Sequence, residues 1–125
     1  MIVFDWRRFY DVGFCIKNIS KKEEFQRSAV GRYYYASFGT VRSYYEKKYE
    51  TTIPSRNAHQ TLINNLLDSK IQNEREIGRK LGKFRKIRNF ADYNPIFYIS
   101  NVKKAEELYN EIIELLDKLK EDDFD

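Results

Sequence analysis

The chain is poor in the residues that break, crosslink or metallate a fold: one cysteine, one histidine, two prolines and five glycines in 125 residues. A single cysteine excludes an internal disulfide and fits a reducing compartment. One histidine and one cysteine fall short of the roughly four nitrogen or sulfur ligands that a structural zinc takes. No apolar run approaches the ~20 residues needed to span a bilayer. The opening Met1-Ile-Val-Phe-Asp-Trp-Arg-Arg mixes acid and base into its apolar stretch, so no signal peptide is expected there. These absences predict a soluble, cytoplasmic protein with no metal, no cofactor and no membrane contact.

Aromatic residues are abundant, at 16% of the chain, which argues against disorder. The length fits one domain over residues 1–125. Net charge is only +4, but it is unevenly spread. Residues 1–50 carry 10 basic and 6 acidic groups, residues 51–90 carry 9 and 3, and residues 91–125 carry 4 and 10. A basic middle beside an acidic end predicts a positively charged working surface, or a pairing of the two regions with each other.

Scarce glycine and proline, with long stretches of helical spacing, predict five helices and no sheet. The first is expected from about Phe4 to Lys17, with Phe4, Phe9, Val12 and Ile16 on one side. Ser20-Lys-Lys-Glu23 has capping-box spacing and opens a long second helix to about Lys48. Pro54 then breaks the chain, since it lacks an N–H and biases Ile53 to an extended conformation. A third helix is expected over Arg56–Asp68, with Leu62, Leu66 and Leu67 inward. The fourth starts at Asn73-Glu-Arg-Glu76 and ends near Tyr93, where Asn94-Pro95 stops it. The fifth starts near Ser100 with the stripe Val102, Ala105, Leu108, Ile112, Leu115 and Leu119, and residues 121–125 should fray.

Two arginines occupy positions where apolar residues belong. Ile77, Leu81, Phe84, Arg88 and Ala91 form a core-facing stripe on the fourth helix. Phe25, Ala29, Arg32, Ala36 and Gly39 form a narrow one on the second, whose small residues let another helix approach closely. A buried guanidinium costs several kcal/mol unless it finds an anion, a polar cavity or a partner subunit. Asp92 lies one turn beyond Arg88 and cannot neutralise two arginines, so the site has spare positive charge suited to phosphate. The same residues also suit an Arg32–Asp92–Arg88 network that merely joins two helices. Tyr33, Tyr34, Tyr35, Tyr44, Tyr45 and Tyr49 crowd the second helix, fit for core packing, a homodimer seam or base stacking.

These positions carry a family resemblance. Arg32-Tyr-Tyr-Tyr-Ala36-Ser-Phe38 resembles the R-x-Y-Y-A-x-F signature of short prokaryotic HEPN (higher eukaryote and prokaryote nucleotide-binding) proteins. His59 sits where that family places a histidine at the start of the third helix, and Arg88-Asn-Phe-Ala-Asp92-Tyr93 resembles its R-x-x-A-D-Y ending of the fourth. The three motifs occur in the family's order over about residues 20–94. The resemblance implies an up-and-down bundle of four or five helices, usually a homodimer. It further implies an RNA- or nucleotide-directed protein, often a metal-independent ribonuclease toxin paired with a nucleotidyltransferase antitoxin, or an antiphage-defence component. A non-catalytic module that binds nucleotide, RNA or a partner protein is the alternative.

The family's nuclease motif is R-x(4–6)-H with a polar residue after the arginine. Arg88-Asn89 matches its opening, but no histidine follows, and Asp92 stands closest to its place. Metal-free RNA cleavage needs a base for the 2′-hydroxyl, positive charge at the phosphorane and an acid for the leaving oxygen. An aspartate, ionised at neutral pH, is a poor acid. The resemblance thus points to Arg88, Asn89, Asp92 and Tyr93 as the catalytic set and to Arg32, Arg85, Lys86 and His59 as phosphate-binding neighbours. His59 lies near a helix N-terminus, where the dipole favours the neutral imidazole, and becomes the substitute base if folding brings it to Arg88.

Overall fold

A computed structural model describes residues 3–122. They form five helices: α1 (Arg8–Ile19), α2 (Glu23–Tyr49), α3 (Ala58–Leu67), α4 (Gln72–Tyr93) and α5 (Ser100–Asp122), with no strand among the described residues. The chain is an all-α bundle. α2 is its axis, packing against α1, α4 and α5, while α4 also packs against α3 and α5. Its central place explains its sequence: Ala29, Val30, Tyr33, Tyr34, Ala36 and Val41 are all wholly buried, more than one helix face can supply.

The narrow stripe on α2 does receive a neighbour, and the neighbour is α1. A Cβ added at Gly13 would lie 2.9 Å from the Tyr33 ring and 3.1 Å from the Ala29 carbonyl. Further along, Gly39 lies under the Trp6 indole, 2.4 Å from where its own Cβ would stand. Glycine is required at both close approaches.

Several expected details fail for local reasons. α1 begins at Arg8 rather than Phe4, because the Asp5 side chain accepts the Arg7 backbone N–H (3.0 Å) and ties the preceding residues into a turn. Phe4 and Val12 are exposed, while Phe9 and Ile16 pack on the core. The capping box does not form. Ser20 lies in extended backbone at the end of α1, and its hydroxyl accepts the Lys22 N–H (3.1 Å). Buried Gln26 instead closes the end of α1, donating to the carbonyls of Lys17 (3.0 Å) and Ser20 (2.7 Å). Leu67 is exposed at the last position of α3, and α5 buries Leu116 where Leu115 was expected. Glu121 and Asp122 are helical, and the rest of the expected frayed tail lies outside the described residues.

The loop between α2 and α3 is strapped to α2. Buried Ile53 donates its N–H to Glu46 Oε2 (2.7 Å), and its carbonyl accepts from Arg42 Nη2 (3.0 Å). Left-handed Glu50 (φ 48°) ends α2 and left-handed Asn57 (φ 58°) opens α3. This strap fixes where α3 starts, and therefore where His59 sits.

Candidate phosphate-binding site

Tyr34 of α2 is fully buried, so its hydroxyl needs a partner. It finds His59 of α3, with 2.7 Å between Oη and Nδ1. The imidazole also stacks on Phe38 at 4.0 Å and meets Tyr35 edge-on at 5.9 Å. Over the same tyrosines lies Arg88 of α4, its guanidinium carbon 5.2 Å from the Tyr34 ring centroid and 5.3 Å from that of Tyr35. The sole histidine and the out-of-place arginine are thus joined through one tyrosine.

Arg88 is nearly enclosed, with 11% of its side chain exposed, yet its polar bonding is thin. Nη1 donates to Asp92 Oδ2 at 3.3 Å, and Nε is buried without a partner. Neighbouring Arg85 repeats the pattern: Nη1 donates to Gln60 Oε1 (3.0 Å), and Nε is again buried and unpartnered. Arg88 thus meets one carboxylate and Arg85 a neutral amide, which leaves one positive charge over. Stacking on tyrosine faces compensates part of the desolvation, as cation–π contact does.

The electrostatics follow this geometry. Burial, then the charges of Arg88, Arg85 and Arg42, lower the His59 pKa to about 4, so the ring is neutral at pH 7. Burial raises Tyr34 above the ordinary phenol range despite the opposing pull of Arg88 and Arg85, so its hydroxyl keeps its proton. Two proton arrangements satisfy the Tyr34–His59 bond. If the hydroxyl donates to Nδ1, Nε2 carries a proton to give; if Nδ1–H donates to the hydroxyl, Nε2 is a free acceptor.

Arg85 and Gln60 also line a groove of about 460 Å³ between α3 and α4, together with Arg79, Lys83, Lys86 and Asn89. The named charges of this groove are all cationic. It places Lys86 and Asn89 beside the cluster rather than in it.

Other expected residues fall elsewhere. Arg32 is exposed and lies over the Phe9 ring (5.5 Å), because the stripe that carries it faces α1. Asp92 pairs with Arg88 alone, so the Arg32–Asp92–Arg88 network does not form. Tyr93 is 78% exposed and outside the cluster. The arginine that joins α2 to the end of α4 is Arg27: it donates to the carbonyls of Ala91 (2.7 Å), Asn94 (2.6 Å) and Pro95 (3.2 Å). It thereby satisfies carbonyls that the helix end leaves open, one turn from Arg88.

Comparison with protein-family models, curated proteins and solved structures finds no match to this chain.

Proposed function

We propose that the protein is an RNA-directed, HEPN-like module that seats a backbone phosphate on Arg85 and Arg88 and cleaves RNA beside it without a metal. The observation that carries this reading is the meeting of His59, Tyr34, Arg85 and Arg88, with two guanidinium N–H groups left unpaired. With Nδ1–H bonded to Tyr34, His59 Nε2 takes the proton of a ribose 2′-hydroxyl. The freed oxygen attacks phosphorus, the arginines hold the developing negative charge, and the 5′-oxygen leaves with a proton from water. A 2′,3′-cyclic phosphate and a 5′-hydroxyl result. A phosphate seated on the arginines offsets part of the repulsion that depresses the imidazole, making it a better base when substrate is bound. The HEPN resemblance adds a homodimer and a toxin or defence setting to this proposal.

One observation favours a second reading, RNA binding without cleavage. His59 already engages Nδ1, and Arg88 bridges α2 and α4 through the tyrosines, which is what a structural staple does. Incubating purified protein with single-stranded RNA in excess chelator and mapping the ends decides between them. Cyclic-phosphate ends that vanish in Arg88→Ala and His59→Ala support cleavage. Binding without new ends supports the second reading, and neither binding nor cleavage overturns both.

A further inference from the structure

Tyr35 also lines a cavity of a different kind. It measures about 520 Å³ and is lined by Trp6, Tyr35, Phe38, Gly39, Arg42 and Glu46. Two of its rings belong to the phosphate cluster as well: Phe38 stacks on His59, and Tyr35 lies beneath Arg88. Trp6 reaches the cleft because Gly39 has no side chain to hold the indole off α2. The polar edge is only part used. Glu46 spends Oε2 on the Ile53 N–H (2.7 Å) and on Arg42 Nε (3.4 Å), while Oε1 takes no donor. Aromatic faces, a free carboxylate acceptor and an adjoining cationic seat are what an unstacked nucleobase attached to a phosphate requires.

We infer that the Trp6–Tyr35–Phe38 cleft receives a nucleobase of the strand whose phosphate sits on Arg85 and Arg88, so that the protein takes single-stranded and not duplex RNA. This inference rests on the phosphate-binding reading above and adds a base-binding subsite to it. A duplex keeps its bases stacked and paired, and cannot present one to the cleft without first opening.

Trp6 is the chain's only tryptophan, so its fluorescence, excited at the red edge where tyrosine does not absorb, reports on the surroundings of that one indole. The full chain is titrated with an end-labelled single-stranded oligoribonucleotide, the same strand carrying abasic residues, and the corresponding duplex, reading label anisotropy and Trp6 emission together. The expected result is Trp6 quenching by the single strand, with the abasic strand and the duplex binding about tenfold more weakly and without quenching. Gly39→Ala, which displaces the indole, should lose the quenching and weaken the single strand toward the abasic value. Binding that is lost in Arg88→Ala but is equal for normal and abasic strands, with Trp6 emission unmoved, overturns the base cleft and leaves the phosphate site standing. Absence of binding by any strand overturns the phosphate-binding reading itself.

Discussion

Two polar clusters in this bundle are built from similar parts and end in opposite states. Each joins tyrosines of α2 to a charged residue of α4. In the first, Glu74 is wholly buried, and both carboxylate oxygens are filled. Tyr44 (2.6 Å) donates to Oε2, while Tyr49 (2.7 Å) and Ser69 (2.5 Å) donate to Oε1, and the Lys48 ammonium lies 3.5 Å away. Burial pushes the Glu74 pKa up, but the bonds from Ser69, Tyr44 and Tyr49 outweigh it, and the net shift is downward. In the second, Arg88 has one carboxylate, Arg85 has only the Gln60 amide oxygen, and each keeps a buried N–H group unpaired. A saturated cluster spends its interaction energy on the fold. An unsaturated one carries a cost in the free protein that a ligand of opposite charge removes.

The contrast is open to direct attack. The largest effect is expected at Glu74. Glu74→Ala removes a wholly buried acceptor from three hydroxyl donors, Tyr44, Tyr49 and Ser69, and should lower unfolding free energy by about 3 kcal/mol in denaturant titration. A loss below about 1 kcal/mol would place the Glu74 cluster among the dispensable contacts. Next comes Arg88→Ala, which should cut RNA cleavage or affinity about 100-fold, equivalent to about 2.7 kcal/mol, with far less effect on the melting temperature than Glu74→Ala. If Arg88→Ala instead matched Glu74→Ala in stability loss and left RNA handling intact, the two clusters would be the same kind of structure.

Arg27→Ala is intermediate. It frees three carbonyls at the end of α4 and should cost about 1–2 kcal/mol, measured by thermal unfolding, while faster amide exchange over residues 91–95 shows where the loss falls. A pH dependence comes last, because it shows only in acid. His59 is held below its unfolded value of 6.5, at about 4, so its contribution to stability is fully present above pH 6.5. That contribution falls as pH drops from 6.5 toward 4, because the unfolded chain takes up the proton first. His59→Gln should flatten this part of the stability–pH curve. Glu74 adds a further loss as pH falls from the ordinary carboxylate value of 4.5 through its depressed folded pKa.

Much of this was legible before the structure. Helix spacing and the Pro54 and Pro95 breaks placed five helices within a few residues of where they lie, because apolar periodicity survives packing almost unchanged. Arg88 stood out as a charge on an apolar stripe, and its pairing with Asp92 followed from their one-turn separation. Arg32 stood out by the same logic and misled. Periodicity places a residue on a face but does not say which neighbour that face meets, and this one meets α1. Tyr34 was visible only as one tyrosine among many. Its role depends on the bond to His59, 25 residues away, which the Ile53 strap creates and no local pattern encodes. Arg27 carried no signal at all, since its partners are backbone carbonyls.

His59 supplies the most direct test of the claim that the open cluster is a phosphate seat. As the only histidine, it gives a single imidazole signal to follow by NMR across pH, in free protein and in protein saturated with a single-stranded oligoribonucleotide. The account predicts a midpoint near 4 in the free protein, moving upward when bound phosphate offsets the charges of Arg85 and Arg88. A midpoint near the ordinary histidine value in the free protein, or one that RNA leaves unmoved, would contradict it.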